Sequence, residues 1–556
     1  TYFLNRKGIL NFAQISSMKK IIFLLLLNLL LFSCARVGAP NGGTRDSLAP
    51  KFLGSNIDTT RLNVSRTVKE LRLDFDEYVM LKDFNKNFNV SPPIKKIKKV
   101  IPSNLANKYV LIQWEDTLQA NTTYNFNFGN AIVDNNESNP LPYFNFAFST
   151  GDKIDDLFVS GTVKDAMTLI KENQTAKDNK MVVGLYKAGE NLDYKQKPDY
   201  ITKVDEENYF ELNFLPKGEF VIIAFDDENQ NSVYDAGKEK VSFLKEKITL
   251  DSTSVRGLKL KLYPSKKVVK YKESKAINGG LLMTFEGNPE TVEVKSLSED
   301  LKDFKVTHAK RSDSVNIWFD AEKSNLGGTV SKQVKLSYFT PTISDTISVS
   351  YKAVKDEFKL SNEAGNLIAP ENNFVINTSL PIENLNTSSW KLESDSIAQD
   401  FTAKVSEKNP FKILVNSSFK PTKKYVLTIP KETVSSYYSS NDKSFQFQFE
   451  IDKPENYGSF TAVIKNKPTA KFWVELTNEK GEILYSQFTN ASEVSFKNLK
   501  PATYIARIRV DNNGNGFWDE ADFAQNIAAE DVYIFEKEIN VRPLWEIKED
   551  WELTNH

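Results

Sequence analysis

The chain has 556 residues, enough for about three to five domains of ordinary size. Hydrophobic residues make up 40% of it and charged residues 26%, proportions that are typical of soluble folded domains rather than of disorder. The formal net charge is −1, so no basic excess exists to neutralise a nucleic-acid backbone, and we expect no nucleic-acid partner.

The first predicted element is a processing signal. Met18 is followed by two lysines, an apolar run over residues 21–32, Ser33, and Cys34, which is the only cysteine. A charged region, an apolar region and a small residue before the cut are typical of a signal peptide, and the run is too short to span a bilayer. Leucine at −3, serine at −1 and cysteine at +1 resemble the lipobox of bacterial lipoproteins.

The resemblance implies acyl chains, palmitate among them, on Cys34 and an anchor in the outer membrane. We expect upstream translation over 1–17, a signal peptide over 18–33, and a lipidated cysteine with a flexible tether over 34–48. No acidic residue lies just after Cys34, which favours the periplasmic face, while the cell surface stays open.

Strand patterns dominate the rest of the chain. Leu71, Leu73 and Phe75 alternate with polar residues, and the same period of two recurs around residues 124–128, 144–148 and 445–449. Turn residues recur at short intervals, and no long amphipathic helix is indicated. The patterns therefore predict an all-β chain of tandem antiparallel β-sandwich domains.

Two kinds of internal repeat are visible. The first kind ends in a stretch of Leu or Phe, a threonine, and Tyr six residues after the first position, at residues 118–124 and 419–425, before an alternating Phe strand. The second kind pairs residues 214–235 with 498–519, each a turn, a strand and a loop rich in Asp and Asn. We therefore expect a string of five domains, of which the middle one has no clear partner. Their predicted bounds are 49–151, 152–263, 264–357, 358–453 and 454–556.

The stretches SLAPKFLGSNIDTT, LRLDFDEYVMLKDF and FNFAFSTG resemble the N-terminal bacterial Ig-like domain of Bacteroidota lipoproteins over residues 49–151. The second kind of repeat resembles the prealbumin-like sandwich of carboxypeptidase regulatory domains. The whole chain is similar to Ig-like domain-containing lipoproteins of that phylum. The resemblance implies Ig-like and prealbumin-like sandwiches, an envelope location and no catalysis.

The residues themselves also argue against an enzyme. The two histidines are His308, in a charged strand, and His556, so a site built on a placed imidazole is not expected. Asp74, Asp76 and Glu77 could serve a hydrolase that uses only carboxylates, but the alternation explains Asp74 and Asp76 as a solvated strand face.

Two loops rich in Asp and Asn have the spacing of a calcium site. The later loop puts oxygen donors at positions 1, 3, 5, 9 and 12 with glycine at 6, whereas the earlier loop lacks the glycine and has Glu239 after position 12. The alternative is a turn held by Asp and Asn hydrogen bonds. The calcium candidates are Asp511, Asn513, Asn515, Asp519 and Asp522 in the later loop, and Asp227, Asn229, Asn231 and Asp235 in the earlier one.

Seven tripeptides combine Asp, then Ser or Thr, then Leu, Ile, Val or Thr, where composition alone gives about two. The pattern is similar to the O-glycosylation sequon of Bacteroidota envelope proteins, and a turn before a strand is the alternative. The candidate hydroxyls are Ser47, Thr59, Thr117, Ser252, Ser314, Thr346 and Ser396.

The lysine-rich run over 94–99 is typical of a guarded edge strand, with a contact to anionic lipid or polysaccharide as the alternative. We expect a non-enzymatic outer-membrane lipoprotein that acts as a binding or scaffold subunit, with an envelope protein complex as partner. The alternative is a carbohydrate-binding or carbohydrate-processing surface lipoprotein, in which Trp473, Trp518 and Trp545 stack on sugars.

Overall fold

The structure is a computed structural model that describes residues 46–169, 180–189, 192–354, 357–363 and 365–553. The predictions for 1–17, 18–33, Cys34 and most of the tether lie outside these residues. In the described part, helical structure is confined to α1 (Phe84–Asn87) and a 3₁₀ turn (Pro454–Asn456), and no helix is long and apolar enough to cross a membrane. The remaining elements are strands in sheets that pair into sandwiches, so the predicted all-β class of tandem sandwiches is confirmed.

Sandwich 1 packs the sheet β1-β2-β5-β4, with β7 on β2, against the sheet β3-β6-β8. Its strands are β1 (Phe52–Ser55), β2 (Glu70–Leu81), β3 (Asn89–Ser91), β4 (Ile97–Ile101), β5 (Asn107–Trp114), β6 (Thr123–Gly129), β7 (Ile132–Asp134) and β8 (Phe144–Ser149). The alternation predicted in β2 is confirmed, because Leu71, Leu73 and Phe75 are buried in the core between the sheets. The lysine-rich β4 is an edge strand, as its pattern predicted.

Sandwich 2 packs the sheet β11-β10-β13-β14, with β15 on β13, against β12-β9-β16, in which β9 and β16 run parallel. Its strands are β9 (Leu157–Asp165), β10 (Met181–Lys187), β11 (Tyr200–Lys203), β12 (Tyr209–Leu215), β13 (Gly218–Asp226), β14 (Val241–Phe243), β15 (Ile248–Leu250) and β16 (Val255–Leu262).

Sandwich 3 packs β17-β18-β21-β20 against β19-β22-β23 around a core of its own. Its strands are β17 (Lys270–Ile277), β18 (Gly280–Glu286), β19 (Glu293–Ser296), β20 (Lys305–His308), β21 (Ser314–Trp318), β22 (Lys332–Phe339) and β23 (Ser344–Tyr351).

Sandwich 4 repeats sandwich 1, with β24-β26-β31-β30 in one sheet and β25-β34-β32-β28-β29 in the other, while β27 pairs with β33. Its strands are β24 (Leu360–Asn362), β25 (Leu367–Ile368), β26 (Phe374–Thr378), β27 (Asn384–Leu385), β28 (Lys391–Ser394), β29 (Ile397–Ala398), β30 (Phe401–Val405), β31 (Lys412–Ser417), β32 (Lys424–Ile429), β33 (Val434–Ser435) and β34 (Phe445–Ile451).

The repeated stretch that ends in Tyr124 and Tyr425 has a structural cause in sandwiches 1 and 4. The Tyr124 hydroxyl accepts from the backbone N–H of Gln119 at 2.8 Å, and the Tyr425 hydroxyl accepts from that of Lys420 at 2.8 Å. Each buried ring thus ties the start of its strand to the preceding turn, in the manner of the tyrosine corner of Ig-like sandwiches.

Sandwich 5 has the strand order of sandwich 2. The sheet β37-β36-β39-β40, with β41 on β39, packs against β38-β35-β42, in which β35 and β42 run parallel. Its strands are β35 (Gly458–Lys465), β36 (Phe472–Thr477), β37 (Ile483–Thr489), β38 (Glu493–Leu499), β39 (Ala502–Val510), β40 (Val532–Ile534), β41 (Ile539–Val541) and β42 (Glu546–Glu552). The second repeat seen in the sequence is therefore a repeat of topology.

Candidate functional site

The two Asp/Asn loops leave equivalent strands of the two matching sandwiches. The first polar loop (227–239) joins β13 to β14 in sandwich 2, and the second polar loop (511–530) joins β39 to β40 in sandwich 5. The opening aspartates, Asp227 and Asp511, are each 3% exposed. Each one accepts the backbone N–H groups of the residues four and five positions later, one on each carboxylate oxygen, at 3.0 Å.

The two asparagines of each loop continue the pattern. Their Oδ1 atoms accept the backbone N–H two residues later, at 2.6–3.0 Å. Three of the four amide nitrogens also donate to the aspartate at position 9: Asn229 to Asp235 at 2.7 Å, and Asn513 and Asn515 to Asp519 at 2.5 and 2.7 Å. The side chains therefore hold the turn by the hydrogen bonds of the alternative interpretation.

A buried glutamate closes each loop. Glu239 accepts the N–H groups of Glu228 and Asp235, at 3.1 and 2.8 Å. Glu530 accepts those of Asn513 and Asp519, at 3.1 and 2.9 Å. The sequence does not indicate Glu530 because it lies eleven residues after Asp519, whereas Glu239 lies four residues after Asp235, just after position 12 of its loop.

Burial sets the charge state of these glutamates. It raises the pKa of Glu239 to about 7, helped by the nearby carboxylates of Asp227 and Asp235 and opposed by the backbone hydrogen bonds. Burial also raises the pKa of Glu530. The first polar loop therefore holds a carboxyl group that titrates near neutral pH.

The aspartate at position 9 of the second polar loop has a cation as its partner. Arg311, which lies between β20 and β21 in sandwich 3, donates from Nη1 to Asp519 Oδ1 at 2.7 Å and from Nε to Glu290 at 2.5 Å. Its guanidinium also lies over the ring of Phe517, 4.7 Å from the ring centre. Burial tends to raise the pKa of Asp519, but hydrogen bonds from Asn513, Arg311 and Asn515 outweigh it and lower that pKa.

The second polar loop also binds sandwich 2. Phe523 is 6% exposed and packs against Tyr194, Tyr234 and Phe243, with ring centres 4.4, 5.9 and 5.2 Å away. Ala521 forms a parallel bridge with the segment after β16, accepting from Lys266 N–H at 2.8 Å and donating to the carbonyl of Pro264 at 3.1 Å. One loop of sandwich 5 therefore joins sandwiches 2, 3 and 5 in a single contact, which we call the junction.

The calcium prediction is only partly matched by this geometry. Asp511, Asn513, Asn515 and Asp519 are brought together, but Asp522 accepts from Gln525 N–H instead. Over the described residues, no group of three or more His, Cys, Asp or Glu side chains is arranged to hold a metal ion. A calcium ion would compete with backbone N–H groups for the same oxygens, and its binding stays a prediction.

The other predicted positions are dispersed. Six of the seven candidate glycosylation hydroxyls are exposed and Ser314 is half-buried, so all but one are accessible to modification. His308 is half-buried, with Nε2 3.0 Å from the carbonyl of Ser312, and Asp74 pairs with Arg72 on the solvated face of β2.

The three tryptophans differ in their surroundings. Trp473 and Trp518 are half-buried, and the guanidinium of Arg509 lies 5.8 Å from the ring centre of each. Trp545 is 49% exposed, and the guanidinium of Arg542 lies 4.9 Å from its ring centre. The ring with most free surface for a sugar is therefore Trp545.

Comparison with known proteins identifies one part of the chain. The family model of the bacterial Ig-like domain matches residues 46–150, which contain sandwich 1, so the predicted Ig-like domain is confirmed there. No curated protein matches the chain.

Similar solved structures superpose poorly on this chain as a whole. They include domains 1–6 of the surface layer protein SbsC (11% identity, 89% of this chain, 67% of that chain, TM-score 0.15). SGBP-B of the Bacteroides ovatus mixed-linkage glucan utilization locus, in complex with a mixed-linkage heptasaccharide, is similar too (9% identity, 70% of this chain, 94% of that chain, TM-score 0.19). BcpA, the major pilin subunit of Bacillus cereus, is a further similar structure (10% identity, 72% of this chain, 99% of that chain, TM-score 0.13). At these TM-scores the likeness carries no argument about function.

Proposed function

We propose that this protein is a non-enzymatic scaffold or binding lipoprotein of the bacterial outer membrane, with an envelope protein complex as its partner. The observation that carries the proposal is the junction. Arg311 of sandwich 3 binds the second polar loop of sandwich 5, and Phe523 of that loop packs against sandwich 2. Sandwich 5 is thus in contact with two sandwiches that lie far from it along the chain. Sandwiches fixed to one another present their surfaces at set positions, as a scaffold requires, whereas a flexible string does not.

The anchor is the part of the proposal that rests on the sequence. The order of a charged region, an apolar run and a small residue before Cys34 supports lipidation at that cysteine. More than one acyl chain gives stable membrane binding, whereas a single chain gives only marginal binding.

Envelope fractionation combined with copurification tests both halves. The native chain is expected in washed outer membranes, and Cys34→Ser in the soluble envelope fraction, because the acyl chains provide the anchor. Ser33→Ala, which keeps a small residue before the cut, is the matched control and should stay in the membrane. Tagged native chain, solubilised in detergent, is expected to bring an envelope protein with it. Retention of Cys34→Ser in membranes contradicts the lipid anchor, and recovery of the chain alone contradicts the scaffold.

A further inference from the structure

The edge strand β37 of sandwich 5 has an unusual exposure. It pairs with β36 on one side, and in the described part of the chain no strand pairs with its other side. Three of its seven residues expose large apolar side chains, since Ile483, Leu484 and Phe488 are 46, 48 and 44% exposed. The strand reads ILYSQFT and contains no charged residue and no proline.

Two other edge strands carry the charges that normally prevent strand association. The edge strand β4 exposes Lys98 and Lys99, and β42, at the far edge of the other sheet of sandwich 5, reads EIKEDWE. Charged side chains on an edge oppose its pairing with a second strand. Strand β37 has no such protection, so its free N–H and C=O groups are open to pairing.

We propose that β37 is a self-association edge, which pairs antiparallel with β37 of a second copy of this chain. The residues of the strand favour a second copy because they are complementary to themselves. Pairing about a two-fold axis at Ser486 puts Tyr485 of each copy opposite Gln487 of the other, and it brings Leu484, at the bulge where the register with β36 shifts, close to Phe488 of the other copy. No like charges meet, because the paired segment has none.

The neighbouring side chains suit this arrangement. Phe488 stacks on Trp473 of β36, with ring centres 4.4 Å apart, so the Leu484 that arrives from the other copy meets an aromatic pair, beside which Lys471 Nζ lies 5.7 Å from the Phe488 ring centre. Ser486 is exposed and small, so it leaves room for its own counterpart at the axis. The two sheets would then form one continuous sheet across the dimer.

Sedimentation velocity over a concentration series tests the proposal on the whole chain carrying Cys34→Ser, so that lipid cannot drive association. We expect a reversible monomer–dimer equilibrium in this chain, and loss of the dimer when Leu484→Lys and Phe488→Lys are added. Leu105→Lys, at a position 83% exposed in sandwich 1, is the matched control and should still dimerise. Circular dichroism confirms that the variants are folded. A chain that is monomeric at every concentration, or a dimer that survives both lysines, overturns the proposal.

Cross-linking tests the register. In the Cys34→Ser background, Ser486→Cys creates the only cysteine, and it meets its own counterpart at the two-fold axis. Directly opposed residues of antiparallel strands have Cα atoms about 4.5–5.5 Å apart, within the range of a disulfide. Mild oxidation is expected to give a covalent dimer with Ser486→Cys and none with Thr402→Cys, on the exposed edge strand β30. Equal cross-linking of the two variants contradicts the register at Ser486.

Discussion

The two polar loops have the same opening turn and make different contacts beyond it. Both fix an opening aspartate with the same two backbone hydrogen bonds, and both are closed by a glutamate. They differ after position 9, because Glu239 follows Asp235 by four residues, while Phe523 lies at that spacing after Asp519. In the second loop, Phe523 stands where the first loop has its closing glutamate, and Glu530, seven residues later, closes the loop instead. The loop of sandwich 2 closes with its own glutamate, whereas the loop of sandwich 5 is seven residues longer and carries the ring that packs against sandwich 2.

The largest expected effect comes from removing the ring that distinguishes the second loop. Phe523→Ala should weaken the contact between sandwiches 2 and 5 by about 3 kcal/mol, as expected for truncating a buried Phe. Differential scanning calorimetry of the native chain should show these sandwiches unfolding together, and in the variant as two transitions. Phe339→Ala, at a ring 40% exposed in sandwich 3, is the control and should cost under about 1 kcal/mol. An unchanged melting profile in Phe523→Ala would mean that the junction contributes no stability.

The next effect is a pH dependence of the stability of sandwich 2, which arises from Glu239 in the first polar loop. The pKa of Glu239 is about 7 in the folded chain, above the ordinary value of 4.5, so folding favours the protonated form. The associated stability is fully present below about pH 4.5 and is lost as pH rises through 7, to a total of about 3 kcal/mol at most. Urea unfolding in EDTA from pH 5 to 8 should therefore show sandwich 2 losing stability, and Glu239→Gln should flatten that slope.

The matched variant is Glu530→Gln in the second loop. Burial raises the pKa of Glu530 as well, but Arg311 gives the neighbouring Asp519 a positive partner, so the slope should change less than in Glu239→Gln. If the two variants change the slope equally, Arg311 makes no difference to the electrostatics of its loop.

Local patterns in the sequence predicted the strands and the start of both loops because these features depend on neighbours in the chain. The alternation of Leu71, Leu73 and Phe75 predicts a strand with one buried face, and the stretch that ends in Tyr124 predicts a repeat, whose hydrogen bond the structure shows. The spacing from Asp511 to Asp519 likewise identified a closed turn.

The junction could not be predicted in this way, since its partners are distant in sequence. Arg311 and Asp519 are 208 residues apart, and no periodicity relates them. Phe523 has no local pattern around it and acquires its role only from the aromatic side chains of sandwich 2. The sequence therefore indicated a string of sandwiches, while the contacts that fix sandwich 5 to sandwiches 2 and 3 arise from tertiary packing alone.

The smallest expected effect is a gain in stability on calcium binding, which should differ between the two polar loops. The sequence favoured the second loop, because of its glycine and Asp522, but Arg311 already neutralises Asp519 there. The first loop keeps Asp227 and Asp235 beside Glu239, whose pKa is raised by burial and further by those two carboxylates, so calcium should bind there first. A hundredfold excess of calcium over its dissociation constant stabilises the native state by about 2.7 kcal/mol.

Melts of the whole chain in EDTA and in millimolar calcium should show that gain. Asp227→Asn should abolish it, and Asp511→Asn should leave it unchanged. Arg311→Ala frees Asp519 and should add a calcium response in sandwich 5. If calcium and EDTA give identical melts in all four chains, neither loop binds calcium, and both are turns held by their own hydrogen bonds.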